Sequence, residues 1–145
     1  KILGPLSNHP FDNGGKRSTE VTLPQLGRWA RWHLTEREVQ ACGEGGVTWA
    51  MGVVLANYVG AAPEYPRLRI LELGSGTGLV ALALAGRGHS VLATDGNKCV
   101  LENLQSNIEQ AQHAATAGRI QTAMLRWEVG SDREAIAARG TFDAV

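Results

Sequence analysis

Between residues 67 and 95 the chain alternates in a way that leaves few folds open. Arg67–Leu73 (RLRILEL) is rich in β-forming residues, Gly74–Gly78 is a glycine loop, Leu79–Gly88 is an Ala/Leu-rich helix, and Ser90–Asp95 (SVLATD) is a second strand. Two strands joined through a helix cannot form a hairpin, so they lie parallel in one sheet. The pattern then repeats. Asn97–Ala117 places Val100, Leu101, Leu104, Ile108 and Ala111 at three- and four-residue intervals, the spacing of an amphipathic helix. Arg119–Leu125 reads as a third strand, Asp132–Ala138 as a short helix, and Thr141–Val145 as the start of a fourth strand. The predicted class is α/β, a Rossmann-like doubly wound parallel sheet. Because a fourth strand of such a sheet is central, the sheet is expected to be truncated there, as in a fragment of a longer fold.

The first third is less regular. Residues 1–20, with Gly4, Pro5, Pro10 and Asp12-Asn13-Gly14-Gly15, show no sustained period and are expected to be loop. Trp29, Arg31 and His33 alternate with Ala30, Trp32 and Leu34, which predicts a strand with one buried face. Thr35 to Glu38 reads alternatively as a capping box opening a helix. Gly43–Gly46 is a turn, Trp49–Val59 a mostly buried helix closed by Gly60, and Pro63 and Pro66 punctuate a linker. These readings set a loop-rich N-terminal extension over 1–42, with one expected strand, before the alternating part over 43–145.

Composition excludes several classes. Hydrophobic residues make up 43% of 145, enough for a core. Lys plus Arg and Asp plus Glu number fourteen each, so bulk charge argues against a nucleic-acid partner. Apolar runs such as Leu79–Ala85 are far shorter than the ~20 residues of a membrane span, and Lys1 opens no secretory leader. Cys42 and Cys99 lack spaced partners. They are expected to be reduced thiols of a cytoplasmic protein, neither a disulfide frame nor a zinc site, and no metal is expected.

The chemistry concentrates in Leu71-Glu72-Leu73-Gly74-Ser75-Gly76-Thr77-Gly78. Glycines let backbone approach a ligand closely, and the helix that follows aims free N–H groups at it. A dinucleotide fingerprint has its third glycine one residue later than Gly78. Glu72 would repel a pyrophosphate but attract an amino group or a cationic sulfur. The pattern therefore suits S-adenosylmethionine better than NAD. Asp95, about twenty residues after Gly74, stands where an acid accepts hydrogen bonds from ribose hydroxyls in both cofactor classes. Taken singly, Glu72 reads equally as a satisfied strand-end carboxylate, and Asp95 as the N-cap of the next helix.

From Val47-Thr48-Trp49 through LELGSGTGLVALALAGRG, SVLATD and the Leu-x-x-Asn of Leu104–Asn107, the chain resembles the class I (seven-β-strand) S-adenosylmethionine-dependent methyltransferases. It is most similar to their family-16 group, which includes protein-lysine methyltransferases acting on chaperones, elongation factors and calmodulin. The resemblance implies that Trp49 lines the cofactor pocket from the N-terminal helix. It implies further that Gly74, Ser75, Gly76 and Gly78 form the loop around the cofactor with Glu72 behind it, that Asp95 holds the ribose, and that Trp127 flanks the adenine. A lone tryptophan would otherwise read as core.

The resemblance also implies transfer of a methyl group to a lysine of a protein substrate, while the balanced charge and the short apolar runs argue against nucleic acid and membrane as partners. It identifies no catalytic base. His33 and His89 qualify by chemistry alone, and His89, in a helix–strand loop, is expected to be solvated; Glu102, Asn103 and Asn107 read as solvated or capping positions. Two alternatives stay open. One is a non-catalytic methyltransferase-like subunit whose exposed strand edge and apolar helices are covered by a partner chain. The other is an NAD(P)-dependent oxidoreductase.

Overall fold

The computed structural model describes residues 7, 9–26, 30–62, 66–111 and 119–145. Trp29, Pro63 and the expected helical residues 112–117 lie outside them. The elements are β1 (Lys16–Thr22), β2 (Arg31–Arg37), α1 (Val39–Cys42), α2 (Ala50–Ala61), β3 (Arg69–Leu73), α3 (Leu79–Gly86), β4 (Ser90–Asp95), α4 (Lys98–Ala111), β5 (Ile120–Met124) and α5 (Gly130–Ala137).

Strands β3, β4 and β5 pair in parallel in that order. Ala144 bridges Ile70 in parallel on the other edge of β3, with Leu71 N–H donating to its carbonyl at 3.0 Å. The chain thus steps outward twice and then returns to the far side of β3. That reversal is the switch point of a doubly wound sheet, and the glycine loop leaves β3 beside it. The expected fourth strand is present as this single bridge.

Successive residues of a strand point to opposite faces, and both faces of β4 are covered. Val91 and Ala93 pack with Ala81 of α3 and with Leu104 and Ile108 of α4, whereas Leu92 packs with Leu125 and Ile136 on the α5 side. Helix α3 stops in a Schellman motif: Gly88 N–H donates to Ala85 O and His89 N–H to Leu84 O. Helix α2 is apolar all round but not mostly buried as expected. It presses Ala56 and Gly60 inward and leaves Met51, Val54, Leu55 and Tyr58 exposed, and it runs through Gly60 to Ala61. No described helix is long and apolar enough to cross a membrane.

The N-terminal part departs most from expectation. Residues 16–20 are not loop but most of β1, paired antiparallel to β2. Its sequence, KRSTEVT, hides the alternation because a buried threonine, Thr19, takes an inward position beside Val21. Asp12 turns the chain into it, its Oδ1 accepting Gly14 N–H at 2.8 Å and Lys16 N–H at 2.9 Å. In β2 the alternation holds: Ala30, Trp32 and Leu34 are buried while Arg31 and His33 are exposed. The strand continues through Thr35, so the capping-box alternative falls.

Two buried polar residues tie this hairpin to the sheet domain. Glu36, fully buried, accepts Thr48 N–H at 2.8 Å and pairs with Arg17. Asn107, 1% exposed, accepts Thr35 N–H at 2.8 Å and donates to Thr35 O at 3.1 Å and Thr77 O at 3.0 Å. Asn103 adds a bond to Thr35 O at 2.8 Å. Both asparagines are therefore buried structural groups, not the solvated positions expected.

The cysteines correct another expectation. Cys42, at the end of α1, and Cys99, in the first turn of α4, form a disulfide with Cα atoms 5.3 Å apart. Their separation of 57 residues in sequence concealed a contact that the sheet topology creates.

Replacing Asn107 by Leu keeps the branched shape but orphans two backbone groups, Thr35 N–H and Thr77 O, while Thr35 O keeps its bond from Asn103. Chemical denaturation should show a loss on the order of 2–4 kcal/mol, whereas Glu109→Ala on the exposed side of the same helix should stay within about 0.5 kcal/mol.

Candidate functional site

The loop after β3 is held by β4. Ser75 N–H donates to Thr94 O at 2.8 Å, Gly76 N–H to Asp95 Oδ2 at 3.2 Å, and Gly78 N–H to Ser75 O at 2.9 Å. Asp95 Oδ1 accepts Asn97 N–H at 3.1 Å. The residue that caps α4 is Asn97, whose Oδ1 accepts Cys99 N–H at 2.9 Å, so Asp95 is free of that duty. An ionised carboxylate offers about four acceptor positions, and two of those on Asp95 are taken by these contacts.

Against the loop lies a cleft of about 370 Å³, bounded among others by Glu44, Gly45, Trp49, Glu72, Ser75 and Gly76. Trp49 stands one residue before α2, not within it, and its Nε1 donates to Glu44 O at 2.9 Å. Gly45 and Gly46 let this wall come close. A Cβ on Gly46 would sit 2.7 Å from Arg37 O, and one on Gly45 would sit 3.0 Å from Val100. Below the wall, Thr48 and Thr77 share a hydroxyl–hydroxyl bond at 3.0 Å.

Glu72 dominates the electrostatics. Its pKa is pushed up to about 7, chiefly by burial; the Ser75 side chain opposes the rise and the Asp95 charge adds to it. Glu72 Oε2 and Ser75 Oγ are both out of solvent, and although the Ser75 side chain lies near enough to favour the Glu72 carboxylate, neither atom makes a hydrogen bond of full geometry among the described residues. Buried polar atoms without partners are rare in native structures. Here two of them lie side by side behind one glycine loop.

The structure brings Trp49, Glu72, Gly74, Ser75 and Gly76 together around the cleft. A side chain at Gly74 would meet nothing within 4 Å, so that residue leaves the loop open. Gly78 faces elsewhere: at φ +91° it packs beneath α4, where a Cβ would come within 2.5 Å of Leu104. Asp95 adjoins the cleft through Gly76 and Gly45. Trp127 lies three residues beyond β5, at the same sheet edge, and is 65% exposed. Glu44, Gly45 and Thr77 were not singled out from the sequence; only the glycine run at 43–46 hinted at a close approach. The two histidines that qualified by chemistry, His33 and His89, lie away from the cleft. His33 is exposed on the hairpin beside Glu20. His89 is buried rather than solvated, its Nδ1 accepting Leu68 N–H at 3.2 Å, and burial holds its pKa down.

A doubly wound sheet with a glycine loop at its switch point and an acid ending the next strand is the arrangement of a Rossmann-like α/β domain, a class that places its ligand sites at this point. The profile of the lysine methyltransferase family matches residues 30–145, and the chain belongs to that family. It is 30% identical over 136 residues to the mouse protein-lysine methyltransferase METTL21E, covering 89% of this chain and 55% of that protein. It is 31% identical over 100 residues to the calmodulin-lysine N-methyltransferase of Arabidopsis thaliana, covering 67% and 32%. To the mouse protein N-lysine methyltransferase METTL21A it is 43% identical over 68 residues, covering 46% and 31%. The chain thus spans about half, or less, of the length of these relatives.

Glu72 makes stability depend on pH with a definite sign. Its folded pKa of about 7 lies above the ordinary 4.5, so between those values the folded state holds a proton that the unfolded chain has lost. Stability therefore falls as pH rises through this window, and the loss is complete above it. Glu72→Gln should stabilise the protein at pH 8 by on the order of 1–3 kcal/mol and change little at pH 4.5, as thermal unfolding at the two pH values will read.

Proposed function

We propose that the chain is the cofactor-binding part of an S-adenosylmethionine-dependent protein-lysine methyltransferase. The observation that carries this is the unpartnered, buried carboxylate oxygen of Glu72 behind the glycine loop. A carboxylate there opposes a pyrophosphate and favours a ligand bearing an ammonium and a sulfonium, which sets the NAD(P) alternative behind. The relatives named above supply the lysine and the protein substrate.

In this proposal Gly74, Ser75 and Gly76 approach the amino-acid and ribose parts of the cofactor. Ser75 Oγ and Glu72 Oε2 take polar partners there, and the remaining acceptor positions of Asp95 receive the ribose diol. Trp49 closes the side wall, and Trp127 offers an exposed aromatic face to the adenine. Gly78 contributes by letting α4 pack under the loop. Residues 43–145 form the cofactor-binding part, and the β1–β2 hairpin braces it through Thr35 and Glu36. The cofactor supplies a methyl group on a positively charged sulfur. The chain's part is to orient it and to exclude water from one side, so that an acceptor nitrogen meets the methyl in line. The partner is a protein, rather than nucleic acid or membrane, and the setting is cytoplasmic.

Calorimetry with S-adenosylmethionine and NAD tests the site. S-adenosylmethionine should bind and NAD should not, and Asp95→Ala should weaken binding by about tenfold or more, the cost of two charge-assisted hydrogen bonds. Binding of NAD alone overturns the proposal. Binding of neither favours the non-catalytic subunit.

A further inference from the structure

The Cys42–Cys99 disulfide joins the end of α1 to the first turn of α4. It lies directly beneath the wall of the cleft. Cys42 is followed at once by Gly43–Gly46, and Asn97, two residues before Cys99, donates from Nδ2 to Cys42 O at 3.0 Å. Gly45 then packs on Val100 and approaches Asp95 Oδ2 and the Gly76 backbone. The disulfide therefore joins the start of α4, which follows Asp95, to the segment carrying Glu44 and Trp49.

The two sulfurs are not equivalent. Cys42 is fully buried, whereas Cys99 is half-buried and lines a second cleft of about 270 Å³ between the hairpin and α4. Lys16 and Arg37 line that cleft too, and Arg37 Nε is out of solvent with no hydrogen-bond partner among the described residues. Glu102 on its rim lies 3.8 Å from Lys98, and Asp12 faces the charges of Lys16 and Arg37, so these five groups leave one positive charge in excess. Cys99 also stands in the first turn of α4, a 14-residue helix whose positive end stabilises a thiolate. A reduced form stabilised in this way makes a disulfide easier to open.

We propose that Cys42–Cys99 is a reversible thiol-exchange site, opened at Cys99 by a small anionic thiol of the glutathione class, and that its state sets how firmly Gly43–Trp49 is held. The incoming thiolate forms a bond to Cys99 Sγ as the Cys42–Cys99 bond breaks, and Cys42 leaves as a thiolate and takes a proton from water. A second thiolate attacks the mixed disulfide at the reductant's sulfur, releasing the oxidised reductant and the Cys99 thiolate. The protein gains two electrons, and two thiols are oxidised to one disulfide. Any effect on ligand affinity rests on the cofactor proposal above, but the exchange chemistry and the loosening of the wall do not.

Two measurements on the full chain test this. Reduction followed by alkylation and peptide mass analysis should proceed faster with glutathione than with neutral 2-mercaptoethanol once the two are compared at equal thiolate concentration. Arg37→Gln and Lys16→Gln should each lower that ratio by about threefold or more, as loss of one partly screened charge contact predicts. Hydrogen exchange should then show amides of 43–49 opening about tenfold more readily in the reduced protein and in Cys42→Ser, with β3 to β5 unchanged. A ratio insensitive to both substitutions, a mixed disulfide on Cys42, or exchange at 43–49 that ignores the redox state overturns the proposal. Failure of the cofactor proposal would show separately, as absence of S-adenosylmethionine binding in both states.

Discussion

One buried amide organises this molecule. Asn107 accepts from and donates to the backbone of Thr35 on the hairpin and donates to the carbonyl of Thr77 in the glycine loop. The amide is the one uncharged side-chain group that combines a carbonyl acceptor with two N–H donors, and all three are used here. Because the site is 1% exposed, water cannot substitute for any of these bonds. The hairpin, α4 and the glycine loop are thereby fixed by one side chain, and the loop's geometry depends on a strand some forty residues earlier.

A second tie runs through Glu36, which is fully buried between Arg17 and Thr48 N–H. Breaking such a pair leaves an uncompensated charge, which costs more than the pair itself contributes. Thr48 in turn bonds Thr77. The N-terminal hairpin therefore reaches the glycine loop along two independent polar routes, one through α4 and one through the segment before α2. Its apolar face, with Trp32 and Leu34, also joins the core formed with α2 and α3. The hairpin thus acts as a brace for the site.

How much of this the sequence disclosed follows from where the ordering forces are local. Strand β4 has the bounds expected of it, and the glycine loop sits where strand and helix periods meet, because period and turn chemistry are local properties. Alternation in β2 was legible for the same reason. Strand β1 was not, since a buried threonine mimics a polar position. Asn103 and Asn107 looked solvated because an asparagine on an amphipathic helix carries no mark of the strand that will satisfy it. His89 and the disulfide were misjudged for the same cause: burial and pairing are set by β4 lying beside β3, a non-local event. Around the cleft, Glu72 and the loop glycines stood out, whereas Glu44 and Gly45 were hidden in what read as a simple turn.

The remaining constraint is electrostatic. A carboxylate whose pKa has risen to about 7 is a burden on the fold above that pH, since burial strips much of its solvation and Oε2 has no hydrogen-bond partner among the described residues. Folding alone gives no reason to keep an acid there; a glutamine would fill the same space without the burden. The arrangement becomes sensible only if the site is completed by a group that carries positive charge or donates hydrogen bonds to Oε2. Such a group would draw the pKa of Glu72 back down and recover the solvation lost on burial. An anionic ligand would raise the pKa further and add to the burden. Sulfonium and ammonium ligands are thus favoured over pyrophosphates by the same buried oxygen that costs the unliganded protein stability.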